Sequence, residues 1–212
     1  MMDFGSVLVL APHTDDAELG CGGTLARLVE EGARVHVAAF STAEESLPEG
    51  VPKDTLRNEF LEALPMLGVP AENLHVYDFP VRRLSYFRQE VLEELVRLRR
   101  ALQPEAVLLP SGHDLHQDHQ VVHAEGLRAF KDLSVLGYEL PWNHVEFSAQ
   151  AFFRLERRHL DLKWHALKCY RSQMDLERPY FTEDFILGLA RIRGTMVKSQ
   201  YAEAFEVLRL RI

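Results

Sequence analysis

The sequence has little cysteine and no excess of positive charge, and each shortage excludes a class of protein. Cys21 and Cys169 are its two cysteines, too few for a disulfide framework and without the paired spacing of a thiolate zinc site. Lysine and arginine number 24 against 32 aspartate and glutamate residues, which leaves a net charge of -8. That sign disfavours binding to nucleic acid or to an anionic membrane. We therefore expect a reducing compartment and neither nucleic acid nor membrane as a partner.

Long apolar runs are missing as well. No stretch reaches the roughly 18 apolar residues of a membrane span, and the segment MMDFGSVLVLAPH lacks the basic region and the apolar length of a signal peptide. These absences predict a cytoplasmic protein. A hydrophobic content of 47% over 212 residues is enough for one sizeable core, so we expect a single domain over residues 1–212.

Short apolar runs alternate with segments of helical periodicity through the first two thirds of the chain, which is typical of βαβ units around a parallel sheet. The predicted strands are Val7–Leu10, Val35–Ser41, Leu74–Tyr77, Ala106–Leu109 and, less regular, Ala151–Leu155. The predicted helices are Gly22–Glu31, Asp54–Leu67, Phe87–Leu102, Leu162–Gln173 and Thr182–Gly194. Residues 202–210 fit either a strand or a helix. The loop Thr42–Lys53 follows the carboxyl end of a strand and is expected to border the ligand crevice.

A first polar cluster, in the segment LVLAPHTDDAELGCGG, places a histidine and two adjacent aspartates where a buried strand ends. His13 and Asp16 are three residues apart, so both can face one point if the turn is roughly helical, and Asp15 then points elsewhere. Imidazole and carboxylate bind Zn²⁺ or another divalent ion, and a free carboxylate nearby can take a proton from metal-bound water. The alternative is that both aspartates cap the following helix.

A second polar cluster, in the segment PSGHDLHQDHQVVH, holds four histidines and two aspartates between His113 and His123. His116 and His119 have i, i+3 spacing, and His119 and His123 have i, i+4 spacing, so a helix would stack them on one face. Both clusters follow strand carboxyl ends, which line the ligand crevice of doubly wound sheets, so the two can form one site. A chance surface cluster, or a weak opportunistic metal site, is the alternative.

The pair of motifs PHTDD, at residues 12–16, and HQDH, at residues 116–119, resembles the LmbE-like, or PIG-L-type, N-acetylglucosaminyl deacetylase family. The resemblance continues through ELGCGGTLARL at residues 18–28. It also includes the late segments YRSQ and YAEAF, so it spans nearly the whole chain.

This resemblance implies an α/β, Rossmann-like fold with a mostly parallel sheet flanked by helices. The core would occupy about residues 1–135, followed by a smaller C-terminal α+β portion at about residues 136–212. It also implies a mononuclear metal centre, usually zinc, that hydrolyses the acetamide of an amino sugar.

The positions that match the two motifs imply a role for each residue. The metal ligands would be His13, Asp16 and His119. These leave an open position for water and the acetyl oxygen. Asp15 would be the general base. His116 would stabilise the oxyanion and protonate the leaving amine, and Asp118 would orient His116 and favour its charged form.

Four further residues are weaker candidates. Arg57, beside the acidic loop, and Arg82, in DFPVRRL, could bind sugar hydroxyls or an anionic substituent, with a plain surface role as the alternative. The resemblance leaves His123 either as a residue that supports the metal ligands or as a structural residue, although its spacing from His119 also fits a ligand pair. Glu203, in YAEAF, would be an acid lining the site.

We therefore expect a metal-dependent N-deacetylase whose partner is a small N-acetylglucosamine-type sugar or amino-sugar conjugate. Zn²⁺ is the expected cofactor, with Fe²⁺ or another divalent ion as the alternative, because two histidines and one carboxylate also form the facial triad of non-haem iron sites. Two other functions stay open: a metal hydrolase of a non-sugar amide, and a sugar- or nucleotide-binding module without catalysis. The resemblance also implies a homo-oligomer, a trimer or a hexamer.

Overall fold

The computed structural model describes residues 4–211. Within this range the strands are β1 (Ser6–His13), β2 (Arg34–Ser41), β3 (Leu74–Val76), β4 (Ala106–Pro110), β5 (Ser134–Tyr138), β6 (Ala151–Leu155) and β7 (Tyr201–Arg209). The α-helices are α1 (Asp16–Glu30), α2 (Thr55–Met66), α3 (Arg88–Leu102), α4 (Gln117–Ala129), α5 (Arg157–Leu167), α6 (Arg171–Met174) and α7 (Glu183–Met196). None of these helices is long and apolar enough to cross a bilayer.

The strands form one sheet in the order β3-β2-β1-β4-β5-β7-β6. The strands from β3 to β5 are parallel, whereas β7 runs antiparallel to both of its neighbours. Successive residues of β1 belong to two different apolar clusters, one on each face of the sheet, because helices cover both faces. The α/β fold with a mostly parallel sheet flanked by helices is therefore confirmed.

The strand order reverses between β1 and β4, since the chain builds β2 and β3 on one side of β1 and then crosses to the other side. In doubly wound sheets, ligands bind in the crevice outside the strand carboxyl ends at such a switch point. β1 ends at His13 and β4 ends at Pro110, each beside one of the polar clusters. The fold therefore brings the two clusters to one place.

Several elements differ from the predicted ones. The strand β5 has no predicted counterpart, because its five residues, SVLGY, are few and include a glycine. The helix predicted over Leu162–Gln173 is two helices, since the chain turns between α5 and α6. The undecided segment 202–210 lies within strand β7 and its flank, where hydrogen bonds to β5 and β6 favour the extended form. The last predicted helix continues past Gly194 to Met196.

The largest difference is at α1, which begins at Asp16 rather than at Gly22. The predicted start marks a break inside the helix, where Cys21 has non-helical dihedral angles of φ -147 and ψ 19. The carboxylate of Glu203 accepts hydrogen bonds from the amides of Gly23, at 3.1 Å, and Thr24, at 2.6 Å. Glu203 thus caps the second half of the helix from a distant strand.

A buried ion pair holds this break in place. The ammonium of Lys163 donates to Glu203 at 2.7 Å and to the carbonyl of Leu19 at 2.8 Å. It therefore satisfies the Leu19 carbonyl, which precedes the break, and neutralises the charge of the capping Glu203. A Cβ atom on Gly23 would lie 2.6 Å from Leu155 and 3.2 Å from Glu203. The glycines of this segment therefore serve close packing.

Candidate metal centre

Three atoms of types that bind metal ions form a small triangle at the switch point. His13 ends β1, Asp16 opens α1, and His119 lies in the first turn of α4. Oδ2 of Asp16 lies 3.2 Å from Nδ1 of His13 and 3.3 Å from Nε2 of His119, and these two nitrogens are 3.2 Å apart. Ligands about 2.0–2.1 Å from a tetrahedral zinc ion lie about 3.4 Å from one another. The donor set therefore fits a small divalent cation with little rearrangement.

A carboxylate orients each of the two imidazoles through its other nitrogen. Nε2 of His13 lies 3.1 Å from Oδ2 of Asp118, and Nδ1 of His119 lies 2.7 Å from Oδ2 of Asp114. Such carboxylate–histidine pairs fix ring orientation and raise the basicity of the metal-binding nitrogen. Asp114 was not among the predicted site residues. Its short sequence distance to His119 was the available signal.

The charge of Asp16 controls the protonation of this triangle. Burial lowers the pKa of His13, but the charge of Asp16 and the hydrogen bonds that Asp118 and Asp16 accept from the ring raise it to about 9. Burial lowers the pKa of His119 too, but the charges of Asp16 and Asp114 and their hydrogen bonds with the ring outweigh it and raise the pKa to about 10. Without metal, protonated imidazoles therefore surround the carboxylate, and a bound cation replaces those protons.

Asp15 is the N-cap residue of α1, yet its side chain makes no capping hydrogen bond. The helix-cap interpretation is therefore wrong for this residue. Burial and the neighbouring charge of Asp16 raise the pKa of Asp15 to about 6. A carboxylate whose pKa lies near the working pH is well suited to exchange protons.

His116 lies beside the triangle, at the N-cap of α4. Its Nδ1 accepts a hydrogen bond from the amide of Asp118 at 3.2 Å, which leaves the ring proton on Nε2. Burial lowers the pKa of His116 to about 4, so the ring is neutral at pH 7. The expectation that the carboxylate of Asp118 orients His116 is wrong, because that carboxylate bonds to His13 instead. Its charge does raise the pKa of His116, as expected, but burial outweighs this effect.

A second ligand set could be drawn from the histidines alone. His13, His116 and His119 each have one ring nitrogen within 4.8 Å of the others. The triangle that includes Asp16 is tighter, since its longest side is 3.3 Å, and it brings a negative charge to the cation. We therefore favour the set with Asp16.

The site opens into a cavity of about 230 Å³ that His13, Asp15 and His116 line. The predicted border loop, Thr42–Lys53, contributes two residues to it, Ala43 and Ser46. A different part of the lining consists of Trp142, Arg178 and Tyr180.

The sequence profile of the family described as "PIG-L: GlcNAc-PI de-N-acetylase" matches residues 8–130. This range contains both polar clusters and is more than half of the 212 residues. The chain belongs to the PIG-L family. The family resemblance of the two motifs is thereby confirmed.

Two PIG-L relatives carry the name deacetylase. The "uncharacterized deacetylase YaiS" of Escherichia coli strain K12 is 27% identical over 171 residues, which cover 78% of this chain and 90% of the relative. The diacetylchitobiose deacetylase of Thermococcus kodakarensis is 26% identical over 225 residues, which cover 95% of this chain and 82% of the relative. The similarity therefore extends into the C-terminal part of the chain.

Solved structures of the same fold include proteins named for two different reactions. The N,N'-diacetylchitobiose deacetylase of Pyrococcus horikoshii superposes with a TM-score of 0.81 at 20% identity, over 97% of this chain and 84% of that one. GalB, the 4-carboxy-2-hydroxymuconate hydratase of Pseudomonas putida KT2440, has a TM-score of 0.80 at 23% identity, over 98% and 97% of the two chains. At these identities the likeness establishes the fold.

The two arginines predicted to bind substrate do not line the cavity of this PIG-L protein. Arg57 forms an ion pair with Asp78 at 2.6 Å. Arg82 has an exposed side chain, and its contribution comes from the backbone: at φ 63 its amide donates to Asp118 at 2.6 Å. The cavity takes its arginine from Arg178 instead, which nothing in the local sequence pattern indicated.

His123 has the structural role that was one of its two expected roles, whereas Glu203 has a role other than the expected one. Nδ1 of His123 lies 2.8 Å from the carbonyl of Pro110, so the ring ties α4 to the end of β4 and is not a ligand. Glu203 caps the break in α1 and does not line the cavity.

The YRSQ segment supports the turn that carries the PIG-L aspartates. The hydroxyl of Tyr170 donates to the carbonyl of Thr14 at 2.6 Å and lies 2.7 Å from Oε1 of Glu18. Burial raises the pKa of Glu18 well above its usual range, because a buried carboxylate is disfavoured in its charged form. Gln173, from the same segment, reaches the cavity wall.

Proposed function

We propose that this protein is a metal-dependent N-deacetylase that hydrolyses the acetamide of an N-acetylglucosamine-type sugar or amino-sugar conjugate. The observation that carries the proposal is the triangle of donor atoms, with sides of 3.2 to 3.3 Å. In the same cavity lies the carboxylate of Asp15, which makes no capping hydrogen bond to the helix. Membership of the PIG-L family and the names of its relatives give further support.

His13, Asp16 and His119 would hold the ion. Two imidazoles and one carboxylate suit Zn²⁺, and Fe²⁺ is the alternative that the same donors accept. A divalent ion bound there would polarise the acetyl carbonyl and lower the pKa of a water molecule.

The protein's own groups then handle the protons. Asp15, with a pKa of about 6, takes a proton from the attacking water and returns it to the leaving nitrogen. His116, neutral and with its proton on Nε2, donates a hydrogen bond to the developing oxyanion. In this proposal Asp15 protonates the leaving amine, a role that the family resemblance implied for His116.

A substrate screen tests this function. Zinc-loaded protein is incubated with N-acetylglucosamine, diacetylchitobiose and N-acetylglucosaminides, and released acetate is measured alongside free amine. We expect stoichiometric acetate and amine from at least one substrate. A simple non-sugar acetamide is the matched control; hydrolysis of that control alone would transfer the proposal to non-sugar amides, and hydrolysis of none would contradict it.

Hydration of an unsaturated acid is a second candidate function, because a protein named as a hydratase shares the fold over nearly the full length of both chains. The same base and the same ion could add water to a carbon–carbon double bond. Loss of ultraviolet absorbance from a conjugated unsaturated dicarboxylate, together with no acetate release from the N-acetylated substrates, would favour this function over deacetylation.

Two broader expectations are also proposals. A single domain over residues 1–212 predicts one cooperative unfolding transition. Assembly into a trimer or a hexamer predicts a corresponding molar mass by light scattering.

A further inference from the structure

Arg178 is an arginine of the cavity lining that has no carboxylate partner. No carboxylate oxygen lies within 4.0 Å of its guanidinium in the part of the chain from residue 4 to residue 211. By contrast, Arg57 pairs with Asp78 and Arg193 pairs with Glu139. The side chain of Arg178 is half-buried, and although it makes no ion pair within 4.0 Å, its charge acts on Asp15, whose pKa it lowers against the larger effect of burial, which raises it.

The guanidinium is held in place by its surroundings. Nη1 of Arg178 donates to the hydroxyl oxygen of Tyr180 at 2.8 Å. The carbonyl of Arg178 accepts a hydrogen bond from the amide of Phe181 at 2.9 Å, and the side chain of Phe181 is buried in the core. The ring of Tyr180 stacks on Trp142 with centroids 3.8 Å apart and planes 10° apart. The arginine is therefore pre-organised before any ligand binds.

Two donors converge at this place. A guanidinium has five N–H groups, and Tyr180 occupies one of them. The hydroxyl of Tyr180 accepts from Arg178, and its own proton has no acceptor among the described side chains and backbone groups. A single oxyanion can accept from both groups, and planar carboxylates match the guanidinium fork.

The charge of the rest of the cavity restricts the ligand. Asp15 and Asp16 line the same cavity, and the chain carries a net charge of -8. With a divalent ion bound, its two positive charges would balance those of Asp15 and Asp16, so the guanidinium of Arg178 is left to balance one negative charge on the ligand. A carboxylate fits this balance better than a phosphate monoester does.

We propose that Arg178, together with the hydroxyl of Tyr180, binds a carboxylate on the part of the substrate remote from the acetamide. The preferred substrate is then an acidic N-acetyl amino-sugar conjugate, and Arg178 is a specificity-determining residue. That the substrate carries an acetamide rests on the proposed function. The carboxylate site itself does not depend on it.

A pair of probes that differ in one charge tests the proposal. The probes are carboxymethyl N-acetyl-α-D-glucosaminide and its primary carboxamide. The ratio of kcat/KM for acid over amide is measured for zinc-loaded parent, Arg178→Gln and Arg178→Lys, with Arg57→Gln as the matched control outside the cavity. Binding of both probes to the zinc-loaded Asp15→Asn variant is measured by calorimetry, with and without Arg178→Gln.

The parent should prefer the acid by about 10- to 100-fold, which is the range of a charge-assisted hydrogen bond. Arg178→Gln should bring the ratio close to one, Arg178→Lys should retain part of it, and Arg57→Gln should keep the parental ratio. Equal use of both probes by the parent, or an unchanged ratio in Arg178→Gln, would overturn the carboxylate site while leaving deacetylation intact. Selective binding of the acid by Asp15→Asn, without acetate release from that probe or from any N-acetylglucosaminide by the parent, would instead contradict the deacetylase function and retain the site. Binding of neither probe would overturn the carboxylate site.

Discussion

The carboxylate of Asp118 lies 3.1 Å from Nε2 of His13, although the two residues are 105 positions apart in the sequence. This contact turns the imidazole so that its Nδ1 faces Asp16 and His119. Asp118 is itself fixed by the amides of Arg82, at 2.6 Å, and Leu84, at 3.2 Å. Through Asp118, the loop before α3 thereby helps to set the orientation of the His13 ring.

Replacement of Asp118 should weaken metal binding without abolishing it. Asp118→Asn removes the negative charge that orients and polarises His13, and loss of such a partner typically costs about 10- to 100-fold in metal affinity. Competition with a chromophoric chelator measures the change. Asp78→Asn, at an exposed aspartate paired with Arg57, is the control and should bind zinc as the parent does. Equal affinities in the two variants would contradict the orienting role.

The ligand set can be tested with two histidines of one motif region. His119→Ala should lose the metal, because it removes one of the three donor atoms of the triangle. His123→Ala should retain it, because His123 bonds to the carbonyl of Pro110. Elemental analysis of both purified proteins gives the result. Metal loss from His123→Ala with retention by His119→Ala would reverse the assignment.

The central part of the fold was predictable because it depends on local pattern. Strands such as Val35–Ser41 are short apolar runs whose burial on both faces leaves a clear signal. Strand β5 could not be predicted, because its place in the sheet depends on pairing with β4 and β7, which no local pattern encodes. The same reason explains the break in α1, whose cap comes from Glu203, far away in the sequence.

The candidate site divides in the same way. His13, Asp15, Asp16, His116 and His119 could be chosen because the two motifs resemble those of a known family, and the structure gathers them in one cavity. The partner of Asp118 could not, because sequence proximity suggested His116 whereas the fold presents the ring of His13. Loops after the strands set such contacts, and their shapes do not follow from residue type.

Metal affinity should fall as the pH decreases. In the metal-free protein the pKa values of His13 and His119 are raised to about 9 and about 10, so both rings are protonated at pH 7. A metal ion needs neutral imidazoles, so binding at pH 7 releases about two protons. The apparent affinity should therefore rise with pH up to about 9 to 10 and level off above. Calorimetry in buffers of different ionisation enthalpy counts the protons; no proton release at pH 7 would contradict the raised values.

The buried pair of Lys163 and Glu203 should matter for stability and not for metal content. Glu203→Ala leaves the Lys163 ammonium buried without its partner and uncaps the second half of α1, which typically costs about 3–5 kcal/mol. Urea unfolding measures the loss. Glu31→Ala, which breaks a surface pair with Arg27, is the control and should cost at most about 1 kcal/mol. A similar small loss in both variants would show that the buried pair adds little.

The most direct test of the central claim is to measure zinc content and acetate release together for the parent and for Asp15→Asn, on an N-acetylglucosaminide that the parent hydrolyses. His13, Asp16 and His119 are untouched by this change, so the variant should hold about one zinc ion per chain, as the parent does. Its rate should fall by about 10²- to 10⁴-fold, because the water loses its base. Parental acetate release from zinc-loaded Asp15→Asn would contradict the assignment of Asp15, and loss of zinc from that variant would place Asp15 among the ligands.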